Sequence, residues 1–463
     1  MAISLHEPST TVSPATGSAG RYRWVICGLL FFATTVNYLD RQVISYLKEF
    51  FCTPAQQGGF GWSNTDFANL TSAFTAFYAG MTIVAGWVID RIGTKLGLAL
   101  ALIFWSIFGI LNAFAGKLIS THIYVRSAFA IGEAANFPAS IKTVAEWFPK
   151  RERALATGIF NSGTNFGAMI AALFVPWCMG HFGDERGWKM AFIITGAAGF
   201  LWLIFWFWLY NAPNKQKRLS KAEYDYIHVD DETIVERQTG DTAKKVSWLK
   251  LFGHRQLWAF FAGKFMTDGI WWFYLFWLPD YLHKQFNMDK HQIMLPTFIV
   301  YGVAIIGSIF GGSVPMILIK RGWPVYKARM TAMLIIAVCP LAVLFTQYFG
   351  NVDHFGNRAA VLAVAMICIG ATAHQAWSAN LFTTVSDMFP KKTVASVTGI
   401  GTMAGGIGGG VILQLLAGKL TDHFKDTPQT AYLIMFIICA SSYLIAWAIM
   451  KWLVPQHKPI TDL

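Results

Sequence analysis

Four charged residues that fall inside long apolar runs are the residues best placed to do chemistry. Asp40 and Arg41 lie in the first run, which begins at Trp24 and reaches about Leu47, and Arg126 and Glu133 lie in a later run. A charge at the middle of a bilayer is costly unless it is paired or lines a watery cavity. These four side chains therefore predict a functional site inside a membrane-embedded bundle.

Residue spacing indicates which side chains share a helix face. Tyr38 and Arg41 are three residues apart and face the same way, whereas Asp40 points elsewhere, toward a neighbouring helix. The planar guanidinium of Arg41 can bind both oxygens of a carboxylate. We therefore expect Tyr38 and Arg41 to face a central cavity. The alternative is a structural Asp40–Arg41 pair that only locks helices together.

Arg126 and Glu133 are seven residues apart and so also share one helix face. A buried carboxyl group without a permanent partner can load and release a proton near neutral pH. Asp40 close to Arg126 would instead keep its charge until a substrate or proton displaced that pairing. Two carboxyl groups in such unlike environments suit proton coupling, although Glu133 could equally make only a helix-packing hydrogen bond.

The composition indicates a membrane protein with many spans. Of the 463 residues, 55% are hydrophobic and 13% are charged, whereas soluble domains carry about 25% charged residues. The net charge of +12 does not indicate nucleic-acid binding, because Lys and Arg cluster in short connections between apolar runs. We expect the lipid bilayer as a partner and no nucleic acid.

Twelve apolar runs are long enough to cross a bilayer as helices. They lie near residues 23–47, 66–89, 96–116, 120–146, 154–178, 188–210, 256–283, 292–319, 327–349, 359–388, 394–420 and 429–453. We predict an all-α membrane protein of two six-helix bundles, with these parts in order: a disordered cytoplasmic tail at 1–20, a bundle at 21–210, a cytoplasmic linker at 211–254, a bundle at 255–453 and a cytoplasmic tail at 454–463.

Alternate connections are rich in Lys and Arg, which places them and both termini in the cytoplasm. The six Cys residues show no metal-binding pattern, and Cys52 and Cys178 could form a disulfide at the outer ends of helices. The chain has no nucleophile–base set and no nucleotide-binding loop. We expect no enzyme activity, no cofactor and no metal, and a monomer.

The two halves look like repeats of one another. Residues 146–150 (Glu-Trp-Phe-Pro-Lys) align with residues 387–391 (Asp-Met-Phe-Pro-Lys), and without a gap Gly158 then falls on Gly399. In the same alignment Glu133 falls opposite His374. Parallel repeats with a site between them are a known transporter plan.

Residues 86–95 (Gly-Trp-Val-Ile-Asp-Arg-Ile-Gly-Thr-Lys) resemble the loop signature of the major facilitator superfamily. Gly86 and Gly93 permit close packing and a tight turn, Asp90 can cap a helix end or pair across the halves, and Arg91 keeps the loop cytoplasmic. The corresponding loop at 320–324 lacks the Asp, so an asymmetric gate is expected. An ordinary basic loop is the alternative.

The segments 37–41 (Asn-Tyr-Leu-Asp-Arg), 132–138 (Gly-Glu-Ala-Ala-Asn-Phe-Pro) and 147–149 (Trp-Phe-Pro) resemble the anion:cation symporter family within that superfamily. The resemblance implies proton-coupled uptake of a carboxylated sugar across the cell inner membrane. It also implies that Arg41 holds the carboxylate, that Asp40 and Glu133 carry protons, and that Arg126 is the partner of Asp40.

Residues 374–382 (His-Gln-Ala-Trp-Ser-Ala-Asn-Leu-Phe) resemble the hexuronate branch of that family. His374, Trp377 and Ser378 share a helix face by spacing, and an indole can pack on the apolar face of a sugar. Trp377 could also be a packing residue. Aldonates, aldarates and aromatic acids are alternative substrates; uniport, exchange and a non-transporting receptor are alternative activities.

Further candidates depend on weaker signals. Tyr78 is placed beside the cavity by the family resemblance, Asn161 and Thr164 share a face, and Thr402 is the repeat counterpart of Asn161. Lys264 and Asp268, four residues apart on one helix, predict either an internal ion pair or a gating role.

Overall fold

The computed structural model describes residues 20–47, 50–51, 53–62, 64–229, 248–288, 290–391, 393–424, 427–456 and 460. Its longer helices are α1 (Tyr22–Tyr46), α2 (Asn64–Ile92), α3 (Thr94–Leu111), α4 (Ile119–Glu133), α5 (Asn136–Trp147), α6 (Lys150–Leu209), α7 (Lys221–Ile227), α8 (Arg255–Phe286), α9 (Lys290–Lys320), α10 (Val325–Val338), α11 (Ala359–Met388), α12 (Val394–Gly405), α13 (Gln414–His423) and α14 (Pro428–Leu453). Each predicted apolar run coincides with a helix, part of one, or consecutive helical segments. The described residues contain no strand, so the predicted all-α fold is confirmed.

Eight helical segments among the described residues are long and apolar enough to cross a membrane. Helices α1 and α8 do not reach that hydropathy, although they contain 25 and 32 residues. Both carry charged residues in their interiors, Asp40 and Arg41 in α1 and Lys264 and Asp268 in α8. The least apolar long helices are thus the ones that bring charge into the centre of the bundle.

Glycine and proline explain two breaks in the helices. Gly183 has a φ of 71° inside the continuous run of α6, a conformation that glycine adopts without strain, and it divides α6 into two spans. Pro138 has no N–H to donate to the Ala134 carbonyl, which fits the interruption between α4 and α5 at residues 134–135.

The two halves meet along two seams, α2 against α12 and α6 against α9. A Cβ atom on Gly399 would overlap the Thr82 carbonyl oxygen, and one on Gly158 would overlap the Ser308 carbonyl oxygen. In each seam the hydroxyl group donates to the glycine carbonyl, over 3.1 Å from Thr82 and 2.7 Å from Ser308. Gly158 and Gly399 align in the repeat inferred from sequence, so the seams match one another.

One end of the bundle carries the basic connections 92–95, 148–153, 321–325 and 389–391, and we call it the basic end. The short helix α7 packs there: its Glu223 carboxylate accepts hydrogen bonds from the backbone N–H groups of Tyr22 and Arg23, at 3.1 and 3.0 Å. The linker thus contacts the start of α1. Residues 1–19 of the predicted tail and residues 230–247 of the predicted linker lie outside the described residues.

Candidate functional site

A cavity of about 70 Å³ lies between the two halves. It has room for a few water molecules. Both bundles contribute to its wall, which consists of Tyr38, Arg41, Tyr78, Phe137, Asn161, Thr164, Lys264, Asp268, Trp271, Trp272, His374, Gln375, Ser378, Phe382 and Thr402. All the residues predicted to bind substrate line this cavity except Trp377.

Arg41 and Glu133 form a buried ion pair in the wall of the cavity. The Arg41 Nε donates to Glu133 Oε2 over 2.9 Å, and the Glu133 side chain is fully buried. The guanidinium lies 4.5 Å from the ring centroids of both Tyr38 and Tyr78. The second Glu133 oxygen has no hydrogen-bond partner among the described residues. A cation held by one carboxylate and two aromatic faces can exchange that carboxylate for another.

Asp40 and Arg126 are arranged differently from the expectation. No ion pair within 4.0 Å joins these two described residues; the Arg126 guanidinium instead donates to the Arg41 carbonyl oxygen over 3.0 Å. Asp40 is 2% exposed and does not line the cavity, and the Thr195 hydroxyl and Trp105 indole are close enough to interact with it. The expected direction of Asp40, away from the cavity and toward other helices, is observed, but its pairing with Arg126 is not.

Trp377 does not face the cavity. It is fully buried and packs edge-on against Tyr443, with ring centroids 5.6 Å apart. Trp271 lines the cavity instead and stacks on His374 at 5.3 Å and an interplanar angle of 10°. The His374 Nδ1 lies 2.8 Å from the Tyr443 hydroxyl, which orients the imidazole. The indole groups that line the cavity therefore come from α8 and not from α11.

Sequence reasoning missed Gln375 as a cavity residue. The Asn161 Nδ2 donates to Gln375 Oε1 over 2.8 Å, so this bond joins α6 of one half to α11 of the other inside the cavity. The sequence did contain a signal, because Gln375 directly follows His374, the residue that the repeat alignment places opposite Glu133. The Lys264–Asp268 pair also lines the cavity, with Nζ 2.6 Å from Oδ2.

Asp90 joins the halves at the basic end. Its carboxylate accepts hydrogen bonds from the Ser396 backbone N–H at 2.7 Å and the Ser396 hydroxyl at 2.6 Å, and Lys142 lies 2.9 Å away. Ser396 is in the first turn of α12, where a negative charge is favourable. A Cβ atom on Gly86 would overlap the Ala395 carbonyl oxygen, so α2 and α12 touch backbone to backbone.

The second junction at the basic end uses other residues. Asp387, at the end of α11, lies 2.6 Å from Arg329 and 3.7 Å from Arg153, and Arg153 also donates to the Ser386 carbonyl oxygen. Arg153 belongs to the other half of the chain. Gly93, with a φ of 84°, starts α3, and Arg91 stacks 3.9 Å from the Trp87 ring centroid. The closed basic end is therefore held by unlike junctions, in agreement with the expected asymmetry.

Among the described residues no group of His, Cys, Asp and Glu could hold a metal ion. Cys178 is a buried free thiol, and Cys52 lies outside the described residues. The cavity therefore offers ion pairs, amides, hydroxyls and aromatic faces, which together suit a small polar anion.

Comparison with known proteins identifies the family of the chain. The family model of the Major Facilitator Superfamily matches residues 30–413. A hexuronate transporter of Escherichia coli (strain K12) is 30% identical, over 95% of this chain and 96% of its own length, and a D-galactonate transporter of Escherichia coli O6:H1 is 27% identical, over 92% and 96%. The proton:xylose symporter XylE has a similar fold, with a TM-score of 0.71 and 15% identity over 94% of this chain and 97% of its own.

The chain belongs to the major facilitator superfamily. It is a multi-pass membrane protein, and its relatives and fold neighbours are transporters. The predicted superfamily and the resemblance to bacterial hexuronate transporters are confirmed.

Proposed function

We propose that the chain is a proton-coupled symporter that imports a carboxylated sugar, a hexuronate such as galacturonate or glucuronate, by alternating access. The observation that carries this proposal is the buried Arg41–Glu133 ion pair in the wall of the cavity between the halves. The similarity to a hexuronate transporter over nearly the whole chain supports the substrate class.

A proton and a substrate carboxylate together replace the bond of this pair, the proton on Glu133 and the carboxylate on Arg41. Protonation of Glu133 removes the charge that holds Arg41, and the free guanidinium then binds the substrate carboxylate through two hydrogen bonds. A monoanion and one proton together add no net charge to the cavity. The loaded cavity therefore closes without the desolvation cost of an extra buried charge.

The remaining predicted residues are assigned by their position. Trp271 supplies an apolar face for the sugar ring, and the polar groups of Asn161, His374 and Ser378 bond its hydroxyls. Tyr38, Tyr78, Thr164 and Thr402 complete the wall. Asp40 is the second proton carrier. Arg126, whose charge interacts with Asp40, Glu133 and Arg41, couples the protonation of Asp40 to that of Glu133.

Transport requires the basic end to open. We propose that this end faces the cytoplasm, with both termini, and that the protein acts as a monomer in the cell inner membrane. The junctions of Asp90 and Asp387 then release when the loaded protein turns inward. A sugar acid is larger than the cavity described, so its entry also requires the halves or the lining side chains to move apart.

Uptake of labelled galacturonate and glucuronate into proteoliposomes tests the proposal, with and without an inward proton gradient, for the parent protein and Arg41→Ala. We expect accumulation driven by the gradient in the parent and a loss of roughly a hundredfold in the variant, as for removal of one partner of a buried charge pair. Equal uptake with and without the gradient would favour a uniporter or exchanger. Absence of uptake of both uronates would contradict the substrate class.

A further inference from the structure

A second ion pair faces the same cavity from the C-terminal half. Lys264 and Asp268 are one turn apart on α8, with Nζ 2.6 Å from Oδ2 and side-chain exposures of 5% and 17%. Asp268 lines the same cavity as Tyr38 and Tyr78, the two residues whose rings flank the Arg41 guanidinium. Arg41 from the N-terminal half and the Lys264–Asp268 pair from the C-terminal half therefore line one cavity.

We propose that Lys264 and Asp268 form the subsite for the end of the sugar acid remote from Arg41, and that Asp268 restricts the protein to sugar acids with a single carboxylate. The inference rests on the proposed function and deepens it, because it names the residues that select the far end of the substrate.

The chemistry of the pair matches a hydroxyl-bearing end. An ammonium group only donates hydrogen bonds and a carboxylate only accepts them, whereas a sugar hydroxyl does both. A second carboxylate could accept from Lys264 but would then lie beside the Asp268 carboxylate. Because the pair has no net charge, that second anion would gain no net attraction to offset its lost hydration.

The surroundings hold the pair in place. A Cβ atom on Gly405 would overlap the Asp268 carboxylate, so the backbone at the end of α12 packs directly against it. On the other side, the Lys264 Nζ lies 4.2 Å from the ring centroid of Phe382. These contacts restrict how far Asp268 can turn aside to admit a second carboxylate.

A purely structural role accounts poorly for this position. Both residues belong to α8, so their bond joins no second helix, and pairs at this spacing stabilise a helix by only about 0.2–0.5 kcal/mol. Burying two charges for that gain is unfavourable. Their exposure to the cavity is what a binding role requires.

Competition binding with galacturonate and galactarate tests the inference, since the two acids share a carbon skeleton and differ at C1, where cyclic galacturonate carries a hydroxyl and galactarate a second carboxylate. The purified full chain is compared with Asp268→Asn, Lys264→Gln and the control Asp184→Asn, which removes an exposed carboxylate far from the cavity. We expect the parent to prefer galacturonate by about tenfold or more, as for an unfavourable juxtaposition of like charges.

In Asp268→Asn the ratio of affinities should shift toward galactarate by about tenfold, because Lys264 is then uncompensated. Lys264→Gln should shift it the opposite way, and Asp184→Asn should leave it unchanged. Thermal melting establishes that each variant is folded; if Asp268→Asn is not, the shift in Lys264→Gln decides.

Three results would overturn the inference while the proposed function stands: a parent that prefers galactarate, a ratio that neither cavity variant changes, or an equal shift in the control. A parent that binds none of the sugar acids would overturn the proposed function and this inference together.

Discussion

Two carboxylates buried beside the cavity, Glu133 and Asp40, have fewer hydrogen-bond partners than Asp90 at the basic end. Asp90 accepts from an ammonium group, a hydroxyl and two backbone N–H groups. Asp387 accepts from Arg329 through Oδ2, and its Oδ1, which has no hydrogen-bond partner among the described residues, lies 3.7 Å from the Arg153 guanidinium. Glu133, the partner of the cavity residue Arg41, has a single bonded oxygen. Asp40 is buried behind the cavity wall, and neither of its oxygens has a hydrogen-bond partner among the described residues.

This difference in bonding distinguishes carboxylates that hold the two halves together from carboxylates that can exchange their partners. A buried carboxylate with several partners is expensive to neutralise or to move, because each partner would be left unsatisfied. A carboxylate with one partner loses little when a proton or a substrate takes its place. The basic end is therefore built to hold the halves together, and the cavity is built to change partners.

Neutralising one carboxylate in each region should give the largest difference in the free energy of unfolding. Asp387→Asn leaves Arg329, which is 2% exposed, without a charged partner, and we expect it to lose about 3–5 kcal/mol. Glu133→Gln keeps an amide oxygen that can accept from Arg41, which borders the cavity, and should lose less, about 1–2 kcal/mol. Thermal and denaturant unfolding in lipid nanodiscs measures the stability of both variants. Equal decreases in the free energy of unfolding would contradict the proposed difference between the two regions.

Close backbone contact at the basic end should be the next most sensitive feature. Gly86→Ala forces α2 away from α12, and overpacking of this kind costs about 1–3 kcal/mol. Gly80→Ala is the matched control on the same helix, because no atom lies within 4 Å of its added Cβ. Hydrogen exchange of the α12 backbone amides should speed up in Gly86→Ala alone; similar rates in both variants would contradict the tight seam.

Asp90→Asn should have a smaller effect confined to one junction. It removes the Lys142 ion pair and the negative charge at the start of α12, worth about 1–2 kcal/mol in partly buried surroundings. We expect the Ser396 amide to exchange hydrogen roughly tenfold faster, as that free energy implies. Asp184→Asn, at an exposed site, provides the control for the change in net charge. Unchanged protection of Ser396 would show that the Asp90 charge does not hold this end.

The smallest effect should distinguish the two tryptophans. Replacing Trp271 by Leu removes the indole that lines the cavity, and uronate affinity should fall by roughly three- to tenfold. Trp377→Phe keeps an aromatic ring in a buried site and should change affinity by less than about twofold. Isothermal titration with galacturonate measures both. A larger loss of affinity in Trp377→Phe would contradict this assignment and indicate that Trp377 on α11 packs against the sugar ring.

The sequence was sufficient for the helices and for much of the cavity wall. The bilayer thickness sets the length of a membrane-spanning helix at about twenty apolar residues, so such runs in the sequence predict the helices. The i, i+3 spacing of Tyr38 and Arg41 correctly placed both side chains at the cavity. The buried charges, which weaken the hydropathy of α1 and α8, were also the strongest sign of the site.

Two features needed the packed structure. Arg41 and Glu133 are 92 residues apart, and no spacing rule reveals which of two buried arginines meets a given carboxylate. On α11 the cavity face is set by His374, Gln375, Ser378 and Phe382. At about 100° per residue, Trp377 lies roughly 115° from the middle of that face, so sharing an edge with His374 was not enough to bring it into the cavity.

Proton uptake on substrate binding tests the central claim most directly. With purified protein in weakly buffered solution near neutral pH, a pH indicator counts the protons taken up as galacturonate binds to the parent and to Glu133→Gln. If Glu133 must be protonated to release Arg41, the parent takes up about one proton per uronate and the variant takes up none. Equal uptake by both proteins would contradict the claim and assign the coupled proton to another group, with Asp40 the first to examine.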